Sequence, residues 1–326
     1  PSLPLRKGSW LHELQEAYHQ AWAGKGKGWR ARQEELADAF SNLFDEERAQ
    51  YGDLPAECER IFTSYLRYAT PKGDRERYTV ATLRGRSDPA IEFVIEVPLN
   101  EYGVKGAFKG RVDLLVEDHE YGGLWIWDSK WVRSLPHPDE RMMSPQSLMY
   151  VWALRKMGYD IRGFVSNYGR TKPPTIPPLL KRGTLTTRAN IDTDYWTYLS
   201  AIKEVHGDKW KLYAKRVYAG KLRELKGREE LWFRRERIPT EEDRVKRALQ
   251  EFLVTIYQIQ ERTPNDKKFP PRSYFYNCKF NCEYHDLCVA EFTGLDVEPL
   301  IKRNYTFGKD RYGQEDILDQ PSFSGS

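Results

Sequence analysis

The chain has 326 residues, 40% of them hydrophobic and 13% aromatic, enough to bury a sizeable core in one large domain or two small ones. Its 52 Lys and Arg against 48 Asp and Glu leave a net charge of only +4, so overall charge names no partner. No apolar run reaches the roughly 18 residues of a membrane-spanning helix, the first residues lack the apolar stretch of a signal peptide, and four cysteines are too few for a disulfide framework, which points to a reducing cytoplasm.

In chain order, Leu11, Leu14, Tyr18 and Trp22 recur at helical spacing and predict a helix over 8–23. A glycine–lysine turn over 24–28 follows, then a helix over about 30–48 carrying Leu36, Phe40, Leu43 and Phe44, and a third over 55–68. Strand-like segments cover 78–83, 91–99, 107–116 and 124–130, the last two joined by a hairpin through 117–123 with Gly122-Gly123 in its turn. Glu92 and Glu96 share one side of their strand, and a solvent-facing edge strand accounts for them as well as a ligand role does. Ser144-Pro145 opens a helix to Met157, with proline in the first turn. A strand over 161–168 and an extended proline-rich loop over 171–178 precede helices over 194–205 and 209–217, a strand over 231–237 and a long helix over 241–260. The order implies an α/β fold: residues 1–265 as one body with its N-terminal helices, and 266–326 as a cysteine-containing segment packed on it.

Several residues carry chemistry. Asp128 and Lys130 are two apart, so an extended strand points both to one face, while Trp125, Trp127 and Ser129 take the other. The hairpin returns this strand beside Asp113. Two carboxylates and an ammonium then converge, a donor set suited to Mg²⁺ or Mn²⁺ and to phosphodiester hydrolysis. Alone, an Asp-x-Lys is better read as a surface ion pair on an edge hairpin. His12 and Glu16 lie one helical turn apart, and so do Gln146 and Tyr150. Cys278, Cys282 and Cys288 are three thiols within eleven residues, a spacing that usually means metal; His285 would complete a zinc site as the alternative to an iron–sulfur cluster. Between Lys203 and Arg237, eleven cations from Lys209 onward interleave with Trp210, Tyr213, Tyr218, Trp232 and Phe233. That pattern could suit a nucleic-acid backbone, but on the charge run alone a solvated helix face is the better reading; beside a site for phosphodiester hydrolysis the two weigh about evenly.

Taken together, Gly110-Arg111-Val112-Asp113 with Asp128-Ser129-Lys130, Gly8-Ser9-Trp10-Leu11-His12 before them, Gln146-x3-Tyr150 after them and the cysteine trio at the end resemble the PD-(D/E)xK nuclease superfamily, in its RecB-type branch. The resemblance spans His12 to Cys288. It implies a restriction-endonuclease-like core with a central mixed sheet, and a divalent-metal-dependent DNA exonuclease. Asp113, Asp128, His12 and the Ser129 carbonyl would hold metal, Lys130 would activate water, Gln146 and Tyr150 would face the phosphate, and Glu16 would orient the histidine. Cys278, Cys282 and Cys288 would hold a 4Fe-4S cluster. The branch places the fourth cluster cysteine before the motif-one histidine; here no cysteine precedes His12, so an upstream segment is expected to supply it and Cys58 to be a small buried residue. Single-stranded DNA or DNA ends are the implied substrate, in recombination, repair or phage DNA metabolism in a bacterial cytoplasm. A structure-specific endonuclease and an inactive DNA-binding subunit are the alternatives.

Overall fold

The computed structural model describes residues 3–69, 74–142, 144–226, 228–261, 282 and 284–305. Four helices open the chain: α1 (Leu3–Trp22), α2 (Trp29–Ser41), α3 (Asp45–Tyr51) and α4 (Leu54–Ala69). The single helix expected over 30–48 is therefore two. Phe44 is extended (φ −60°, ψ 147°), and Asp45, Glu46 and Glu47 favour a fresh start because carboxylates in a first turn meet the positive end of the helix dipole.

After the short α5 (Asp74–Arg77) come β1 (Tyr78–Val80), β2 (Ile91–Pro98), β3 (Ala107–Asp118) and β4 (Leu124–Val132), then α6 (Pro138–Met142), α7 (Pro145–Lys156) and β5 (Ile161–Arg170). Helices α8 (Tyr195–His206), α9 (Trp210–Arg216) and α10 (Ala219–Lys226) intervene before β6 (Phe233–Pro239), and α11 (Glu242–Gln260), α12 (His285–Phe292) and α13 (Glu298–Asn304) follow. The expected strand over 78–83 is cut short, continuing only as a bridge between Thr82 and Pro89.

The strands form one mixed sheet in the order β1-β3-β4-β5-β6, with β2 also paired to β3. All pairings are antiparallel except β4–β5, whose parallel connection runs through α7. Helix α7 starts at a Ser144 cap with Pro145 in the first turn, and every residue from Ser147 to Leu154 is buried. A helix that is apolar all round must be covered on all sides; α7 lies between the sheet and α11, with Val245, Ala248 and Leu249 of α11 in the same cluster. The opposite sheet face is covered by α1 and α4 through Leu11, Leu14, Ile61, Phe62 and Tyr65. This two-sided α/β arrangement is the fold class expected.

On the buried face of α1, His19 is 2% exposed and its Nε2 has no hydrogen-bond partner among the described residues; its ring meets Trp127 edge-on. Burial, then the charges of Arg235 and His12, push its pKa down to about 3. Between the ordinary histidine value and that figure only the unfolded chain binds this proton, so stability falls as pH falls. Between pH ~7.5 and ~5.5 the parent should lose about 1.4 kcal/mol that a His19→Leu variant does not. Urea unfolding of both at the two pH values checks this; equal losses would remove His19 from the account.

Candidate active site

The β3–β4 hairpin turns through Gly122 (φ 68°) and Gly123 (φ 72°), left-handed positions that glycine takes without strain. Its register pairs Leu114 with Trp127, and the ladder ends there. The next pair would be Asp113 with Asp128. In its place the Asp113 carboxylate accepts the backbone N–H of Ser129 at 2.8 Å.

A second irregularity lies on the other side of Asp113. Strand β2 pairs Ile91 with Leu114 and Phe93 with Val112, and the pair between them, Glu92 with Asp113, is missing from the ladder. Glu92 has φ +49°, and is the one non-glycine with positive φ among the described residues. Residues two apart on a regular strand share a face. Here Ile91 packs on the α1 side with Trp127, while Phe93 and Ile95 pack on the α7 side. Val112 and Leu114 divide in the same way. Both strands change face at one level of the sheet, which leaves Glu92 and Asp113 side by side.

Helix α1 brings the third group. His12 Nε2 lies 2.8 Å from Glu92 Oε1, and donor atoms of His12, Glu92 and Asp113 all lie within 4.8 Å of one another. Burial alone would lower the His12 pKa, but the hydrogen bond to Glu92 and the charges of Asp113, Glu92 and Glu16 outweigh it and raise it to about 9. Burial raises Asp113 to about 7, helped by the nearby charges of Asp128 and Glu92. The positive charges of His12 and Lys130 oppose that rise without cancelling it. The donor set, imidazole nitrogen with carboxylate oxygens, fits a divalent cation such as Mn²⁺ or Mg²⁺. Such a cation would replace the proton on His12, since imidazole ligates only when neutral.

Asp128 is buried; one oxygen lies 2.9 Å from Lys130 Nζ and the other accepts the Ser147 hydroxyl at 3.3 Å. Lys130 also donates to Gln146 Oε1 at 2.9 Å, and Gln146 Nε2 donates to the Tyr150 hydroxyl at 2.8 Å. Burial disfavours the ammonium, but Asp128 and Asp113 outweigh it and the Lys130 pKa rises. Tyr150 is largely a core residue: a Cβ on Gly110 would stand 2.4 Å from its ring, so the glycine of the Gly110–Asp113 motif makes room for it. Ser129 turns to the opposite face, where its hydroxyl accepts from Gln15 at 2.9 Å and Asn167 at 3.3 Å. Asn167 in turn accepts from Arg235, which pairs with Asp74.

The structure thus brings His12, Asp113, Asp128, Lys130, Gln146 and Tyr150 together. Glu16 is displaced from the role of orienting His12 by hydrogen bonding; the partner is Glu92, and burial and Glu92 raise the Glu16 pKa. Cys278 lies outside the described residues. Cys282 is exposed and Cys288 half-buried. Cys58 is fully buried in α4, and burial pushes its thiol up to about 12, against the thiolate form a metal needs.

A family model of the PD-(D/E)XK nuclease superfamily matches residues 1–289. The chain belongs to the PD-(D/E)XK nuclease superfamily. No curated protein matches it. Superfamily members are nucleases that use divalent metals, which accords with a cation-ready cluster beside Asp128 and Lys130. No described helix of this PD-(D/E)XK protein is long and apolar enough to cross a membrane. Glu92, Gln15, Ser147 and Asn167 are the site residues that sequence reasoning did not select.

Proposed function

We propose that the protein is a divalent-metal-dependent DNA exonuclease of the RecB type, acting on single-stranded DNA or DNA ends in recombination, repair or phage DNA metabolism. The convergence of His12, Glu92 and Asp113 on one point, next to the Asp128–Lys130 pair, carries the reading. His12, Glu92, Asp113, Asp128 and the Ser129 carbonyl would hold Mg²⁺ or Mn²⁺. A bound ion supplies Lewis acidity and lowers the pKa of a water ligand. Lys130, kept protonated by Asp128 and aimed by Gln146, orients the attacking water and offsets charge gathering on the phosphate oxygens. Gln146 and Tyr150 would donate to the phosphate. The histidine on α1 and the Gln146-x3-Tyr150 motif support the RecB branch.

Cys278, Cys282 and Cys288 would hold a 4Fe-4S cluster, with zinc as the alternative, clasping residues 266–326 onto a nuclease body of residues 1–265. Iron analysis and thiolate-to-iron absorption in the visible range check this; zinc without iron would overturn the cluster. A cytoplasmic setting suits reduced thiols.

The activity is tested with end-labelled linear single-stranded DNA and a closed single-stranded circle, each with Mg²⁺ or Mn²⁺. Linear DNA should be degraded, the circle should survive, and a chelator should stop the reaction. No hydrolysis of either substrate would overturn the nuclease reading, and cutting of the circle would make the protein an endonuclease.

A further inference from the structure

The helical insert between β5 and β6 is the most positively charged part of the molecule. The 24 residues from Lys203 to Lys226 hold eight Lys or Arg and three Asp or Glu, a net +5. The whole chain carries +4, so the other 302 residues sum to −1.

The structure sorts the basic run into two kinds of cation. Arg234, Arg235 and Arg237 on β6 are bound to Glu236, Asp74, and Asp118 with Glu120. Lys221 is buried, donating to the carbonyls of Arg188 and Ala189 and to Glu224, which also holds Arg228. These cations support the fold. Lys209, Lys211, Lys215, Arg216, Arg223 and Lys226 are different: all are exposed, and among the described residues none is within ion-pair distance of a carboxylate. Lys203 and Lys211 both lie over the ring of Trp210, at 4.7 and 5.8 Å from its centroid, so two like charges are gathered at one half-buried indole. Lys211 and Lys215 share a face of α9 one turn apart.

The insert presents these charges from its own core of Leu185, Tyr198, Ala201, Ile202, Tyr218 and Leu225. His206 stacks flat on Tyr213 at 3.7 Å and bonds to the Tyr218 hydroxyl, locking α8 to α9. Its root is near the candidate site. Strand β5 runs parallel to β4 with Tyr168 beside Lys130, and the chain leaves the sheet just after, at Arg170.

We propose that α8–α10 form a phosphate-backbone track that grips the nucleic acid beyond the segment held at the cleavage centre. Unpaired cations on a rigid scaffold are what a polyanion needs: each phosphate contact releases condensed counterions, and no acidic neighbour must first be displaced. Partly exposed indole and aliphatic surface at Trp210, Leu212 and Val217 suits bases lying against the track. The inference rests on the nuclease reading for its substrate, but the charge sorting stands apart from the catalytic groups.

The test compares the full chain with a Lys211→Gln/Lys215→Gln/Arg216→Gln/Arg223→Gln variant, all surface positions, checked for an unchanged thermal melt. Binding of a fluorescent single strand of about 30 nucleotides, longer than one site of about 4–16, is followed by anisotropy without metal. The variant should bind about tenfold or more weakly, with a salt slope shallower by up to about 0.7 for each contact removed. Its KM for that strand should rise with kcat unchanged, while an oligonucleotide of about 4 nucleotides is cut as fast as by the parent. Equal affinity and equal salt slope would overturn the track, and so would binding of the parent to phosphatidylserine vesicles but not to DNA. If neither protein cuts DNA yet the binding difference stands, the nuclease reading has failed and the track has not.

Discussion

Lys130→Ala and Asp128→Asn should each lower DNA cleavage at least about 10²–10³-fold, the usual loss when one preorganised electrostatic group is removed from the reacting phosphate. Both variants should keep the parent's circular dichroism. Lys130 contacts Asp128 and Gln146 and is about one-third exposed, so truncating it opens no core cavity. Asp128 keeps the Ser147 hydroxyl as a partner when it becomes an amide. The two variants should differ in metal binding. Lys130 offers no lone pair to a cation, and its removal strips a competing positive charge from Asp128; Lys130→Ala should therefore bind Mn²⁺ at least as tightly as the parent. Asp128→Asn should bind it more weakly. Single-turnover cleavage and Mn²⁺ titration calorimetry on both variants separate the roles. Parent-like cleavage by either variant would end the assignment, and loss of Mn²⁺ binding in Lys130→Ala would make the lysine a structural member of the cation site.

Much of this centre could be read from sequence because local rules hold there. Strand periodicity of two puts Asp128 and Lys130 on one side, and the diglycine turn folds Asp113 back beside them. The Pro145 start and the long buried run of α7 place Gln146 against Lys130. His12 was selected through a family resemblance; its spacing alone suits an ordinary amphipathic helix. Glu92 could not be found in this way. Alternation groups it with Glu96, and Glu96 behaves as alternation says, pairing across the strands with Lys109 at 3.3 Å. One left-handed residue moves Glu92 off that face, and no residue type announces it, since the conformation favours glycine. The break between α2 and α3 went unseen because Leu43 and Phe44 continue the helical spacing of Leu36 and Phe40. Nothing local announces helix α10, whose short, charged sequence buries only Lys221 and Leu225. Gln15 and Asn167 serve the site through Ser129 from elements remote in sequence, which no local pattern encodes.

Replacing Glu92 by glycine should leave the metal-free protein about as stable as the parent and make it less active. A side chain at φ +49° is strained by about 1 kcal/mol or more, and glycine adopts that conformation freely. The substitution also removes one of the negative charges that raise the Asp113 pKa. Against this stand the lost hydrogen bond to His12, worth about 1.5–3 kcal/mol if the imidazole is charged but discounted because His12 is one-third exposed, and the extra freedom glycine gives the unfolded chain. These contributions are of similar size and opposite sign, so without metal the stability should move by no more than about 1 kcal/mol in either direction. With Mn²⁺ the parent should be the more stable of the two. The parent gains stability as the logarithm of the Mn²⁺ concentration once that exceeds Kd, whereas the variant has lost one of the three donors within 4.8 Å and should gain less. Cleavage should fall at least about 10²-fold. Glu92→Gln separates the two effects, since it keeps the strained backbone and a hydrogen-bonding side chain but removes the charge: without metal its melt should fall below the parent's by the charge-assisted part of the His12 bond, and its Mn²⁺-induced shift should match that of Glu92→Gly. Thermal melts of the three proteins over a Mn²⁺ series decide the matter. If Glu92→Gly responds to Mn²⁺ as the parent does and cuts DNA at the parent's rate, the kink in β2 serves only the fold.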